Sequence, residues 1–151
     1  MPASLKDVLE AEHRDIDLVL EAFAAGAGDA NALRTAVALL RRHIYFEEIS
    51  LFPPLRSAGM FGPVLVMEHE HGLMWPVLDQ IEQALDAEDT SAAAELCGDV
   101  LQQLAAHNVK EEQILYVQAE ALLTAAQLSV LRAGLDEAEV PDGWTSAGVR
   151  D

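Results

Sequence analysis

The sequence predicts an all-α protein: an up-down four-helix bundle followed by a short fifth helix. Three observations lead there. Apolar residues recur with helical period along almost all of the 151 residues. Glycine and proline fall in a few clusters that cut the chain into long segments. No stretch alternates polar and apolar residues in the manner of a strand. Apolar residues make up 51% of the chain, enough for a packed core rather than disorder, and the length suits one domain. Four helices of about 20 to 30 residues joined by short links pack most simply up and down.

Ser4, with Asp7 three residues on, reads as the cap of a first helix. That helix runs to about Ala25, where Gly26-Ala27-Gly28 ends it. Asp29 caps a second helix, and Pro53-Pro54 should stop it near Phe52, because proline lacks an N–H and its ring strikes the carbonyl four residues back. Residues 57–62 form a loop. Pro63 suits the first turn of a third helix reaching about Asp86, and Pro76 should kink that helix by removing the bond to the Gly72 carbonyl. Thr90 or Ser91 caps a fourth helix running to about Leu122, and Thr124 caps a shorter fifth ending near Glu139. Residues 1–139 are thus the bundle with its appended helix. Residues 140–151, with Pro141, Gly143 and Gly148, are an extended or frayed tail.

The net charge of −17 argues against nucleic acid and anionic membrane as partners, since both call for basic patches. No apolar run is long enough for a membrane span. The N-terminus lacks the charged start and apolar core of a signal peptide. Cys97 stands alone, which rules out a disulfide framework or a paired-cysteine metal site. Together these features favour a cytoplasmic setting.

An internal repeat carries the chemistry. Residues 43–52 read His-Ile-Tyr-Phe-Glu-Glu-Ile-Ser-Leu-Phe and residues 107–116 read His-Asn-Val-Lys-Glu-Glu-Gln-Ile-Leu-Tyr. In register, His43 matches His107, Glu47-Glu48 match Glu111-Glu112, and Leu51 matches Leu115. Upstream of each block lies a Glu-His pair, Glu12-His13 and Glu70-His71.

Successive residues turn about 100° around a helix, so His43 and Glu47 share a face, as do His107 and Glu111. Leu33, Ala36, Leu40 and Leu51 lie on the first of those faces; Val100, Leu104, Leu115 and Leu122 lie on the second. His13 shares the stripe of Leu9, Ile16, Leu20 and Phe23, and His71 that of Val64, Met67, Met74, Leu78, Ile81 and Leu85. Each long helix therefore buries one histidine, and two of them add a glutamate one turn on. No lysine or arginine lies on these inner faces. Two uncompensated buried carboxylates would cost several kcal/mol each, whereas divalent cations with imidazole as further ligands would balance them. His69 points away from His71, and Glu48 and Glu112 sit at the flank, solvated or supporting a ligand. Asp17, one turn after His13, reads as surface. The Met67, Met74 and Trp75 cluster and Cys97 read as packing.

Over residues of about 5–122 the chain resembles the hemerythrin-like, or HHE cation-binding, family. The likeness rests on His13, on His43-x3-Glu47 with Leu51-Phe52-Pro53, on Glu70-His71, and on His107-x3-Glu111. The resemblance implies a four-helix bundle holding a non-haem pair of iron ions (Fe2+/Fe3+) bridged by carboxylates and by an oxo or hydroxo group. His13, His43, His71 and His107 would be terminal ligands and Glu47 and Glu111 bridges. Manganese and zinc suit the same donors. Oxygen-carrying hemerythrin has a second histidine one turn after the third-helix one, where Trp75 stands here, and an aspartate five residues after the last histidine, where this chain has Glu111 after four. One nitrogen fewer leaves room for water or a small ligand. The expected role is binding or sensing a small ligand (O2, NO or H2O2), or iron or redox state. The alternatives are a ferritin-like di-iron oxidase or peroxide-consuming enzyme, motivated by Glu10-x2-His13 and Glu68-x2-His71, and an iron-centre repair protein.

Overall fold

The structure, a computed structural model, describes residues 3–150, and every regular element among them is helical. Helix α1 spans Leu5–Ala24. The Ser4 side chain accepts from the Asp7 N–H at 3.1 Å, and the Asp7 carboxylate accepts from the Ser4 N–H, so two end donors are satisfied reciprocally. Its buried residues, Leu5, Leu9, His13, Ile16, Leu20 and Phe23, recur at three or four and make one stripe. Gly26, at φ +81°, takes the left-handed turn that ends the helix, and the Ala27 N–H returns to the Ala22 carbonyl.

Helix α2 spans Ala30–Phe46, capped by Asp29. It does not stop near Phe52 as Pro53-Pro54 lead one to expect. A π-helical turn, Glu47–Leu51, carries it into α3, Phe52–Ser57. The Phe52 N–H reaches back to the Glu47 carbonyl, five residues rather than four. The widened turn relieves the contact a proline ring makes with the preceding turn, and the prolines fall in the first turn of α3, where a residue without an N–H is tolerated. Helix α4, Phe61–Asp86, begins two residues before Pro63 and runs through Pro76. Helix α5, Thr90–Lys110, is capped by Asp89, whose side chain accepts from the Ala92 N–H, rather than by Thr90 or Ser91. A second π turn, Glu111–Leu115, leads into α6, Tyr116–Leu122. Helix α7, Ala125–Glu137, carries a reciprocal cap from Thr124 and Gln127.

α1 packs beside α2 and α5, and α4 beside α5 and α2, which closes a four-helix ring. The interior divides into three layers. Ile16, Leu20, Leu33, Leu40, Leu78, Ile81, Val100 and Leu104 belong to one apolar cluster; Leu9, Phe46, Leu51, Phe52, Val64, Met67, Leu115 and Tyr116 belong to another. Between the two lies a polar layer of buried histidine and glutamate. Truncating one of these leucines to alanine would cost about 2–5 kcal/mol. Residues 138–146 carry no helix, yet they return to the bundle: Ser146 is fully buried, and a last helix, α8 (Ala147–Arg150), packs along α4.

Candidate metal centre

The structure brings all six sequence-predicted residues into the middle layer. They form two groups of four, His13, His43, Glu47 and Glu111, and Glu47, His71, His107 and Glu111. Within each group one ligand atom per residue lies within 4.8 Å of the others. All six are buried, the two glutamates and His71 completely.

The glutamates belong to both groups because each divides its two oxygens between them. Glu47 turns Oε2 toward His43 Nε2 (3.4 Å) and Oε1 toward His71 Nε2 (3.2 Å). Glu111 turns Oε1 toward His13 Nε2 (3.1 Å) and Oε2 toward His107 Nε2 (3.3 Å) and His71 Nε2 (3.9 Å). The sequence repeat thus appears in space as a pseudo-two-fold arrangement.

Each of the four site histidines is held from behind by a glutamate of a neighbouring helix. Glu12 of α1 holds His43 Nδ1 (2.9 Å), Glu48 of the first π turn holds His71 Nδ1 (2.8 Å), Glu70 of α4 holds His107 Nδ1 (2.9 Å), and Glu112 of the second π turn holds His13 Nδ1 (2.7 Å). The chain of contacts runs once around the bundle. Lys110 in turn holds the far oxygen of Glu70. An ionised carboxylate only accepts, so each Nδ1 carries a hydrogen, and a ring with no second proton turns its Nε2 lone pair inward. His13 Nε2 and His43 Nε2 face each other at 3.1 Å, an arrangement that needs a cation or a shared proton between them.

Tyr116 also enters the layer. Its hydroxyl donates to Glu47 Oε2 at 2.6 Å and lies 3.2 Å from Glu111 Oε1 and from the Nε2 atoms of His13 and His43. The repeat pairs Tyr116 with Phe52, and the two rings occupy matching places, Tyr116 stacked on His13 and Phe52 on His71, each at 5.7 Å. Phe52 has no hydroxyl, and the atoms it would serve, Glu47 Oε1, His71 Nε2 and Glu111 Oε2, are among the buried polar atoms without a hydrogen-bond partner among the described residues. Three orphaned, fully buried polar atoms pointing at one spot suit a cation ligated by nitrogen and oxygen. The six residues fit a pair of metal ions.

Sequence reasoning missed Tyr116 for a definite reason. Nine residues after His107, an unbroken α-helix would place it on the opposite face. Each π turn adds one residue to a turn and shifts the faces after it by about 100°, which swings Tyr116 and Phe52 toward the centre. The roles of Glu12 and Glu70 were likewise hidden, because each serves the histidine of another helix and not the one beside it in sequence. Asp17 and His69 join neither group, and His69 is exposed on the outer face of α4. Cys97 packs in an apolar cluster, where burial pushes its thiol up to about 11.

With protons rather than ions balancing the site, His71, His43 and His13 hold theirs tightly. Burial opposes the charge on His71, but the facing Glu47 and Glu48 carboxylates outweigh it and raise its pKa from 6.5 to about 10; His43 and His13 shift the same way. Burial likewise opposes ionisation of Glu111, yet His107 and His13 hold it well below the usual 4.5. A raised histidine contributes stability that is complete below its unfolded value and lost as pH climbs through its folded one. Chelator-treated protein should therefore lose stability between about pH 6.5 and pH 10. Metal-loaded protein should not lose it there, because ions replace those protons. Melting temperatures across that range, with and without metal, check both.

A four-helix bundle enclosing two such groups is, by fold and site together, a cation-binding helical bundle. Residues 4–119 match the family model for the Hemerythrin HHE cation binding domain, and the chain belongs to that family. No curated protein and no solved structure matches the chain. All six residues and Tyr116 lie inside the matched span; α7 and α8 lie beyond it. No helix among the described residues is long and apolar enough to cross a membrane.

Proposed function

We propose that the chain is a non-haem di-iron protein that binds or senses a small ligand, O2, NO or peroxide. The observation that carries this reading is the division of the Glu47 and Glu111 oxygens between two pairs of imidazoles, the posture of carboxylates that bridge two ions. His13 and His43 would hold one ion, His71 and His107 the other. Iron held there supplies one-electron chemistry and a Lewis-acidic position open to a small ligand. Six protein ligands for two ions leave such positions. The apolar clusters on either side exclude water, and the Tyr116 hydroxyl holds a proton beside the first pair. A small, mostly apolar crevice, whose lining includes Leu5, Lys6, Leu9, Glu120 and Leu128, also touches Tyr116.

The ferritin-like oxidase reading needs further carboxylates at the ions. Glu10 pairs with Lys6 at 2.7 Å and Glu68 with Arg56 at 3.2 Å, and neither joins the groups of four, which favours the first reading. Adding O2 or NO to the reduced, iron-loaded protein should change its absorption spectrum. No change with either ligand would rule out the binding role. Sustained peroxide or ferrous turnover lost on Glu10→Ala would favour the oxidase.

A further inference from the structure

One carboxylate of the ring is held differently from the other three. Glu12, Glu70 and Glu112 reach their imidazoles from the rim, with side chains 14%, 25% and 32% exposed, whereas that of Glu48 is 2% exposed. What encloses it is the C-terminal segment, which lies outside the family match. The Ser146 hydroxyl donates to Glu48 Oε2 at 2.6 Å, and the Ala147 N–H donates to Oε1 at 2.8 Å. Oε2 is the same atom that holds His71 Nδ1. Both oxygens are thus engaged, and the carboxylate has no freedom to turn away from the imidazole.

The segment is seated closely rather than resting on the surface. A Cβ on Gly148 would lie 2.4 Å from the Glu68 carbonyl oxygen and 2.8 Å from Gly72 Cα; a Cβ on Gly72 would lie 2.5 Å from the Gly148 carbonyl carbon. Backbone meets backbone there, and only glycine permits it. Trp144 stands edge-on to Tyr45 and Trp75, at 4.9 and 5.3 Å, and the Arg41 guanidinium covers Trp75.

We propose that residues 144–148 are a positioning clamp for one half of the metal centre. Ser146 and the Ala147 amide fix Glu48, and Glu48 fixes the His71 ring with Nε2 aimed between Glu47 and Glu111. Among the described residues the His13–His43 half has no such clamp; its imidazoles rest on the rim glutamates Glu112 and Glu12 and face Tyr116. The two ions are therefore held unequally, and seating of the segment and occupancy of the His71–His107 position strengthen each other by the same factor. The inference rests on the reading of the six residues as a two-ion centre.

The test compares wild type, Ser146→Ala and Gly148→Ala in titrations with ferrous iron under anaerobic conditions. Ser146→Ala removes a hydrogen bond to Glu48. Gly148→Ala unseats the segment by steric conflict and alters no polar group. Both should weaken binding of one ion by about 10- to 100-fold, the size of effect typical of groups that orient a ligand, and leave the other ion at wild-type affinity. Ser146→Thr, which keeps the hydroxyl, should recover much of the loss. Equal weakening of both ions, or two ions at wild-type affinity in both variants, would overturn the clamp. Wild type that takes up no iron would instead remove the two-ion reading on which it stands.

Discussion

Glu111→Gln should release both metal ions, not one. Glutamine keeps the shape of the side chain but loses the charge that faces His13 through one oxygen and His107 and His71 through the other. Each half would lose a shared anionic donor, and affinity for both ions should fall by at least about 100-fold. Metal-free protein should suffer as well. The mutation removes one partner of a fully buried charge cluster, for which about 3–5 kcal/mol is the usual cost. Metal content after dialysis and urea unfolding of chelator-treated protein measure the two effects. His13→Ala is the contrast, because it withdraws a ligand from one half only and should release one ion. A Glu111→Gln protein that keeps both ions would show that the carboxylate does not bridge.

The second large effect concerns Tyr116. Tyr116→Phe leaves Glu47 Oε2 without its 2.6 Å donor in a dry site, and the metal-free protein should lose about 1–3 kcal/mol. The pseudo-two-fold arrangement makes a further demand. Phe52→Tyr places a hydroxyl in the other half, near the orphaned Glu47 Oε1, His71 Nε2 and Glu111 Oε2. In chelator-treated protein the double variant should therefore regain part of the stability that Tyr116→Phe loses. A double variant less stable than the single one would contradict the correspondence between the two rings.

The bundle and its six central residues were legible in the sequence because they obey simple period. His43, Glu47, His107 and Glu111 sit within single turns, where four residues advance a helix face by only about 40°. His13 and His71 lie on uninterrupted apolar stripes. Legibility ended where the period changed. The two π turns begin at Glu47 and Glu111 themselves, so everything after each of them, Tyr116 and Phe52 included, faces a direction that counting by 100° gets wrong. The first of these turns explains why Pro53-Pro54 failed to end a helix. The ring of glutamates was hidden for another reason: Glu12 holds His43, Glu48 holds His71, Glu70 holds His107 and Glu112 holds His13, and such pairings between helices appear only once the helices are packed. The return of Ser146 to Glu48, 98 residues away in sequence, left no local signal beyond the glycine at 148.

Placing two cations where six buried side chains converge is the claim from which everything else follows, and counting the ions tests it most directly. Purified without chelator and loaded with iron, the protein should hold two ions per chain by elemental analysis, falling to one in His13→Ala and to none in Glu111→Gln. Wild-type protein that holds no ion, or a single ion unaffected by His13→Ala, would contradict it.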